Sequence, residues 1–262
     1  TADNVLWSYA NLWSSKTTWG GNDPPVDGDS VVITYGEYIL LDISPPELFL
    51  FTIQGNLEFA RNVGYLSLNC SYLVLHYGRL IIGSEEDPFV DATAVITLMG
   101  NRNSLELPLF GAKVLAVRTG ELLLFGRPRK SWTKLAATSG PGNTTLVLVE
   151  PTDWEVGDVV VVTASEFHQL HAEECVVVGV RDQGKTLEVE KPLLYLHWGQ
   201  GWTSEEVEAG GVGGSSSSSS AMKEIGHYRS SVGLLTRNVV VQGDDAHSKR
   251  QQFGGQVLLS SE

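Results

Sequence analysis

Cysteine is scarce. Cys70 and Cys175 are the two in 262 residues, so no disulfide framework holds this chain, and a core of the size it can bury needs none. One bridge between them is possible by count, while the apolar settings LSLNC and CVVVGV point instead to two buried, chemically quiet thiols. Long apolar runs are also missing. No stretch of about eighteen apolar residues is present to cross a bilayer as a helix, which argues against direct membrane insertion by this segment. Positive charge is in deficit: 18 Lys and Arg stand against 31 Asp and Glu, a net charge of −13. That balance excludes nucleic acid as a general electrostatic partner, because such binding relies on cations displacing counterions from phosphates. An anionic polysaccharide meets the same repulsion unless a local basic patch or a bound cation offsets it. The chain also lacks a GxSxG elbow, a P-loop, a dinucleotide fingerprint and a zinc-cysteine cluster, which removes the familiar chemistries. It begins at Thr1 without a signal peptide and reads as a piece of a larger protein or as a mature product.

Glycine, by contrast, is plentiful and regularly placed. YGEYILLD at 35–42, QGNLEF at 54–59, YGRLIIG at 77–83 and TGELLLFG at 119–126 are glycine-punctuated strand segments, and LMGNRNSLEL at 98–107 fills the gap. Gly36, Gly55, Gly78, Gly100 and Gly120 stand 19, 23, 22 and 20 residues apart. A repeat of about twenty residues built from short β-rich stretches is the signature of a solenoid, whose coils bury apolar side chains by stacking on one another. Leu57 with Phe59, Leu80 with Ile82 and Leu122 with Leu124 alternate as strands with one buried face do. These features predict an all-β fold, a right-handed parallel β-helix, in which the glycines supply turns at φ > 0. A β-sandwich with regular turns is the competing architecture.

Residues 1–262 read as one such domain with local departures. Residues 1–30 carry Trp7, Trp13, Trp19 and the turn-rich GGNDPPVDGD, and form an N-terminal cap in which the tryptophans are packing anchors. Over 144–198 the rhythm becomes hairpin-like, with DQGK a tight connection, which predicts an antiparallel subdomain. Within it TASEFHQLHAEE at 163–174 reads as a short helix or helical turn with Ser165 as N-cap. Residues 205–222, EEVEAGGVGGSSSSSSAM, are too poor in apolar groups to offset ordering and read as a flexible linker, natural or engineered. VGLLTRNVVVQG then returns to a rung-like strand, and GGQVLLS opens what reads as a further coil, so the natural protein is expected to continue past Glu262.

Candidate site residues are scattered. Arg127, Arg129 and Lys130 in RPRKSW form a basic patch, Lys249 and Arg250 a second, and Arg237 has the fork geometry to hold a carboxylate. His168 and His171, with Glu173 and Glu174, offer nitrogen and oxygen donors to a divalent metal, at a spacing that is only suggestive. A glycosidase needs two carboxyl groups across the scissile bond; Asp42, Glu58, Asp91, Glu166 and Asp244 are available, although acidic residues at strand ends are ordinary turn formers. Asn69-Cys70-Ser71 and Asn143-Thr144-Thr145 are sequons for N-linked glycans.

Trp19-Gly20-Gly21, Gly28-Asp29, Leu41-Asp42, Ile53-Gln54-Gly55-Asn56-Leu57, Gly78 to Gly83, Trp132-Thr133, Trp154 with Gly157-Asp158, Pro192-Leu193 and Leu234-Leu235-Thr236-Arg237-Asn238 together resemble the G-eight domain. That extracellular module occurs in fibrocystin-type receptors and in the cell-surface hyaluronidases, and the resemblance covers nearly the whole chain. It implies a receptor ectodomain, secretion, glycosylation and membrane anchorage elsewhere in the parent, with a carbohydrate or matrix glycan as partner. It implies no cofactor on the receptor side; calcium bridging two acidic surfaces belongs to the alternative, a hyaluronan-cleaving or hyaluronan-binding module. The hyaluronidase branch usually shows Ser-Thr-Asp where this chain reads Thr163-Ala164-Ser165-Glu166-Phe167, a departure that weakens the enzymatic expectation.

Overall fold

The computed structural model describes residues 9–200, 202–203, 224–226 and 229–260. The chain is all-β with parallel and antiparallel sheets, and it divides into two compact units: residues 1–128 with 237–262, and residues 129–236. Trp7 and the expected linker at 205–222 lie outside the described residues.

In the first unit the chain passes back and forth between two sheets in which every strand pairing is parallel. The strands are β1 (Asn11–Leu12), β2 (Ser30–Ile33), β3 (Tyr38–Leu41), β4 (Leu48–Ile53), β5 (Asn56–Phe59), β6 (Tyr65–His76), β7 (Arg79–Ile82), β8 (Thr93–Leu98), β9 (Val114–Arg118) and β10 (Glu121–Leu124). One sheet runs β1-β3-β5-β7-β10, and the other carries β2, β4, β6 and β8 in line. The twelve-residue β6 is shared: its first half pairs with β8, from Tyr65↔Thr93 to Cys70↔Leu98, and its second half with β9, from Tyr72↔Val114 to His76↔Arg118. Alternation aims Leu57, Phe59, Leu66, Leu68, Leu80 and Ile82 into one fully buried cluster, where each such side chain contributes roughly 1.5–3 kcal/mol. Trp13 is buried in the same cluster, edge-on to Trp19 and Phe51 at 4.9 and 5.6 Å between ring centroids, and the Trp19 Nε1 donates to the Trp13 carbonyl at 2.8 Å.

The glycine ladder is real at three positions, for a reason other than turn angle. Asn56, Arg79 and Glu121 are register partners across β5, β7 and β10, so Gly55, Gly78 and Gly120, each one residue earlier, stand in line. None of the three has a positive φ. Space is what excludes a side chain: a Cβ on Gly78 would lie 2.4 Å from the Ile53 carbonyl oxygen and 2.7 Å from that of Gly55, and one on Gly120 would lie 2.8 Å from that of Gly78. Left-handed angles fall one residue before two of them, on Tyr77 (φ 63°) and Thr119 (φ 54°), and on Gly36 (φ 86°) in the turn before β3. Gly100 is no rung. It follows β8 in the loop toward β9, so Gly78 and Gly120 are a single pass apart, lengthened by that loop.

The second unit is antiparallel. Strands β11 (Trp132–Lys134), β12 (Thr145–Val147), β13 (Val159–Val162), β14 (Glu173–Arg181), β15 (Thr186–Val189) and, after β16 (Trp202–Thr203) and β17 (Glu224–Gly226), β18 (Ser231–Leu234) give a sheet ordered β11-β18-β13-β14-β15-β12. Leu135, Leu146, Trp154, Val160, Val162, Cys175, Val177 and Leu187 form its core. DQGK is the tight connection between β14 and β15, with Asp182 and Gln183 both left-handed. At 163–174 the expected short helix or helical turn is a 3-10 turn at Gln169–His171, kept short because β14 already begins at Glu173. Ser165 caps nothing there: its hydroxyl shares a hydrogen bond with that of Ser230 at 2.7 Å and accepts from the Trp198 N–H at 2.6 Å.

The chain then rejoins the first unit. Strand β19 (Val239–Gly243) lies parallel on β8, helix α1 (Asp245–Gln251) follows, and β20 (Gln256–Ser260) lies parallel on β9. Exit and return are neighbours: the Arg127 N–H donates to Asn238 Oδ1 at 2.9 Å, and Asn238 Nδ2 donates to the Phe89 and Ala92 carbonyls at 2.5 and 2.9 Å. No bridge joins the cysteines; both are free and buried. Burial pushes the Cys70 thiol up to about 12 and the Cys175 thiol up to about 11, which keeps both in the unreactive protonated form.

Candidate binding cleft

A buried lysine organises the most distinctive surface of the first unit. Lys113, at the end of the loop between β8 and β9, is fully buried, and Asp244, just before α1, nearly so. The Lys113 Nζ donates to Asp244 Oδ1 at 2.5 Å, to the Ser248 hydroxyl at 2.9 Å and to the Phe253 carbonyl at 3.3 Å. An ammonium has three protons, and here three acceptors meet them. That completeness is what makes burial tolerable, since an unpaired charge in such a place costs several kcal/mol. Beside the pair, Tyr72, Ala112, Val114 and Ala116 form a small apolar cluster with Leu107, Phe110 and Phe253 packed on it, and the Tyr72 hydroxyl donates to the Leu105 carbonyl. Loop and helix are thus fastened to the same sheet.

Arg102 ties the two together at the surface. Its backbone N–H donates to Gln251 Oε1 and its guanidinium to the Gln251 carbonyl, each at 2.9 Å. This places Arg102 with Lys249 and Arg250 around a cleft of about 380 Å³, whose other lining residues are Asn103, Gln251 and Gln252. Among the described residues three cations and three amides line it, and no carboxylate does. Lys249 pairs with Asp245 at 3.2 Å with both side chains largely exposed, a contact worth less than about 1 kcal/mol. Arg250 makes no hydrogen bond or ion pair among the described residues. Lys249 and Arg250 sit in the last turn of α1, where positive charge also suits the helix dipole. The sequence marked these two as a basic patch; Arg102 was missed, because nothing local signals a partner, Gln251, 149 residues away.

The other expected residues are spread through both units. Arg127 donates to the Val90 carbonyl through Nε and one terminal nitrogen, at 3.2 and 3.0 Å. Arg129 grips Asp158 with both terminal nitrogens, at 3.0 and 2.7 Å, in a pair less than a tenth exposed on either side. The hydrogen bonds that it donates to Asp158 hold that guanidinium even more firmly protonated. Lys130 pairs with Glu150 at 2.5 Å. RPRKSW is therefore fastened inward rather than arrayed as a free patch. Arg237 is half-buried and makes no side-chain contact of this kind among the described residues.

The carboxylates are dispersed and mostly engaged. Asp42 accepts from the Ser14 N–H and hydroxyl at 3.0 and 2.5 Å, Glu58 accepts from the Tyr38 hydroxyl and lies 3.7 Å from Arg61, Asp244 holds Lys113, and Glu166 faces His171 Nδ1 at 3.1 Å. Asp91 is exposed. His168 and His171 do not converge on an ion with Glu174. Their rings stack at 4.3 Å, His171 stacks on Tyr195 at 3.9 Å, Glu174 is exposed on β14, and no three metal-ligating side chains gather among the described residues. Glu173 serves another purpose, which the sequence did not reveal. Its carboxylate receives His197 Nε2 at 2.9 Å and the Leu194 and Tyr195 N–H groups at 2.8 and 2.9 Å, while the fully buried His197 turns Nδ1 to the Thr163 carbonyl at 3.0 Å. Burial alone would raise the Glu173 carboxyl, but the hydrogen bonds from His197, Leu194 and Tyr195 outweigh it and hold it below the usual range.

Residues 18–136 match the G8 domain. Over 246 residues, 93% of the chain, the sequence is 35% identical to Fibrocystin-L of Mus musculus and 37% identical to Fibrocystin-L of Homo sapiens. It is 31% identical to Fibrocystin of Mus musculus over 248 residues, again 93% of the chain. The chain spans only 5% of the length of the first two relatives and 6% of the third. The glycine stack Gly55, Gly78 and Gly120 and the strands around it lie inside the matched segment, so residues 18–136 are a G8 domain.

Proposed function

We propose that the chain is an extracellular recognition or structural module of a fibrocystin-type cell-surface protein, making contact with carbohydrate or matrix. In this reading the parallel sheets of the first unit are the faces of a right-handed β-helix, and the antiparallel unit is an insertion between two of its coils. Identity to Fibrocystin-L over 93% of the chain supports the placement, and the alternation of successive strands between parallel sheets supports the solenoid. The cell-surface setting follows from the same kinship; among the described residues no helix is long and apolar enough to cross a membrane. Asn143 lies on an exposed turn and Asn69 half-buried on β6, and both are proposed as glycan acceptors.

Recognition is favoured over cleavage by one observation: Asp42, Glu58, Glu166 and Asp244 each hold a fold contact of their own. A glycosidase needs two carboxyl groups facing one bond, about 5 to 10 Å apart, with protons to exchange. The test is the size distribution of high-molecular-weight hyaluronan after incubation with the glycosylated chain, with calcium and with chelator, from acidic to neutral pH. An unchanged distribution is expected. Shortening that requires the folded chain would overturn the reading in favour of a hyaluronan-cleaving module.

A further inference from the structure

The cleft of Arg102, Lys249 and Arg250 is chemically out of keeping with the rest of the chain. In a protein of net charge −13, three cations line one depression and, among the described residues, no acid does. Distant charges weigh little there, because at physiological ionic strength exposed charges are screened beyond about 8 Å. A ligand at the cleft therefore meets Arg102, Lys249 and Arg250, with Asp245 as the near opposing charge through its contact to Lys249.

The lining also narrows the class of ligand. Among the described residues every lining side chain is polar, and none is aromatic or aliphatic. A nucleobase or a lipid tail would find no apolar surface to stack on or enter. Amides of Asn103, Gln251 and Gln252 both donate and accept, which suits hydroxyl groups. Two guanidinium forks and one ammonium suit carboxylate or sulfate groups. Hydroxyls interspersed with carboxylates or sulfates describe an acidic glycan chain. The site is also held in shape before any ligand arrives. Gln251 restrains Arg102, and α1 is fixed from beneath by Lys113 and Asp244, so the ordering left for binding to impose is that of the exposed Lys249 and Arg250 side chains.

We propose that this cleft binds a carboxylated or sulfated glycan chain; the proposal rests on the recognition reading above and assigns that contact to a place. The experiment measures binding of the glycosylated chain to a sulfated heparin oligosaccharide, a hyaluronan oligosaccharide and neutral dextran over a range of salt. The same probes are then applied to the Lys249→Glu/Arg250→Glu and Lys249→Gln/Arg250→Gln double variants, with thermal unfolding confirming that each still folds. The two arms separate sulfate from carboxylate as the anionic group. The expected result is salt-sensitive binding of at least one acidic glycan, none of dextran, and a loss of about tenfold or more on charge reversal, with a smaller loss on neutralisation. Equal binding by the parent and both variants would overturn the assignment to the cleft and leave the recognition reading standing. Binding of no glycan by the parent would overturn both the cleft and the carbohydrate contact. Poly-glutamate competing as well as the heparin probe would overturn the glycan class and leave a general anion site.

Discussion

A methyl group at Gly78 has nowhere to go. The Ile53 carbonyl oxygen would stand 2.4 Å from it, and because that oxygen belongs to the next pass of backbone it cannot swing aside as a side chain does. Gly78→Ala is expected to destabilise the first unit by about 3 kcal/mol or more. Gly142→Ala, where φ is 88° and nothing lies within 4 Å, should cost about 1–2 kcal/mol. Urea unfolding of the two variants measures the contrast, and equal losses would mean that the close approach at Gly78 is not what demands glycine. The sequence made this stack visible because an excluded side chain leaves a spacing behind. It could not separate lack of room from positive φ, and it admitted Gly100, whose interval matches by coincidence. Glu173 carries a second expectation. With its carboxyl held below the usual range in the folded state, its contribution is complete above the unfolded value, about pH 4.3, and disappears as pH falls through the lower folded value. Glu173→Gln should lower stability by about 3 kcal/mol near neutrality, since it leaves the buried His197 without its anion. The gap between variant and parent should close in acid, and melting curves from pH 7 down to 3 test that sign.

Elements were legible wherever one face is buried and one is wet. Strands β5 and β7 announce themselves by alternation, and the antiparallel pairing within 144–198 is signalled by DQGK and by longer β-branched runs; β11, which already pairs antiparallel at Trp132–Lys134, carries no such signal. In the stretch at 163–174 the helical turn forms at Gln169–His171, but Ser165 does not cap it, because its hydroxyl is claimed by Ser230 and Trp198, residues that no local window contains. Helix α1 shows the same limit from the other side: Lys249 and Arg250 were visible as charge, but the buried ion pair that supports them joins positions 131 residues apart. Lys113→Ala strips the partner from Asp244 and is expected to cost about 3–5 kcal/mol. The loss should appear first as faster hydrogen exchange across 245–260, with β3, β5 and β7 still protected. Lys113→Met/Asp244→Asn, which removes both charges, should recover part of that stability. If the single variant exchanges as slowly as the parent, the pair does not hold the helix.

At the scale of the whole chain, residues 129–236 leave and rejoin the first unit at adjacent points, Arg127 and Asn238 being hydrogen-bonded. Replacing 129–236 by a short glycine-rich link is therefore expected to leave a folded first unit, with a β-type circular dichroism spectrum and a cooperative melt. Aggregation or a featureless spectrum would show that the second unit is required. The parallel pairing of β19 on β8 has a further consequence, one of timing. Val239 meets Ala94 across 145 residues of chain, and closing so long a loop carries an entropic cost that shorter pairings such as β5 on β7 escape. During synthesis Arg102 emerges early and waits, and Lys249 and Arg250 reach it only after the second unit has been made. A stalled or truncated product can own most of the sheets yet lack the cleft, so capture by an acidic glycan would distinguish finished molecules from unfinished ones.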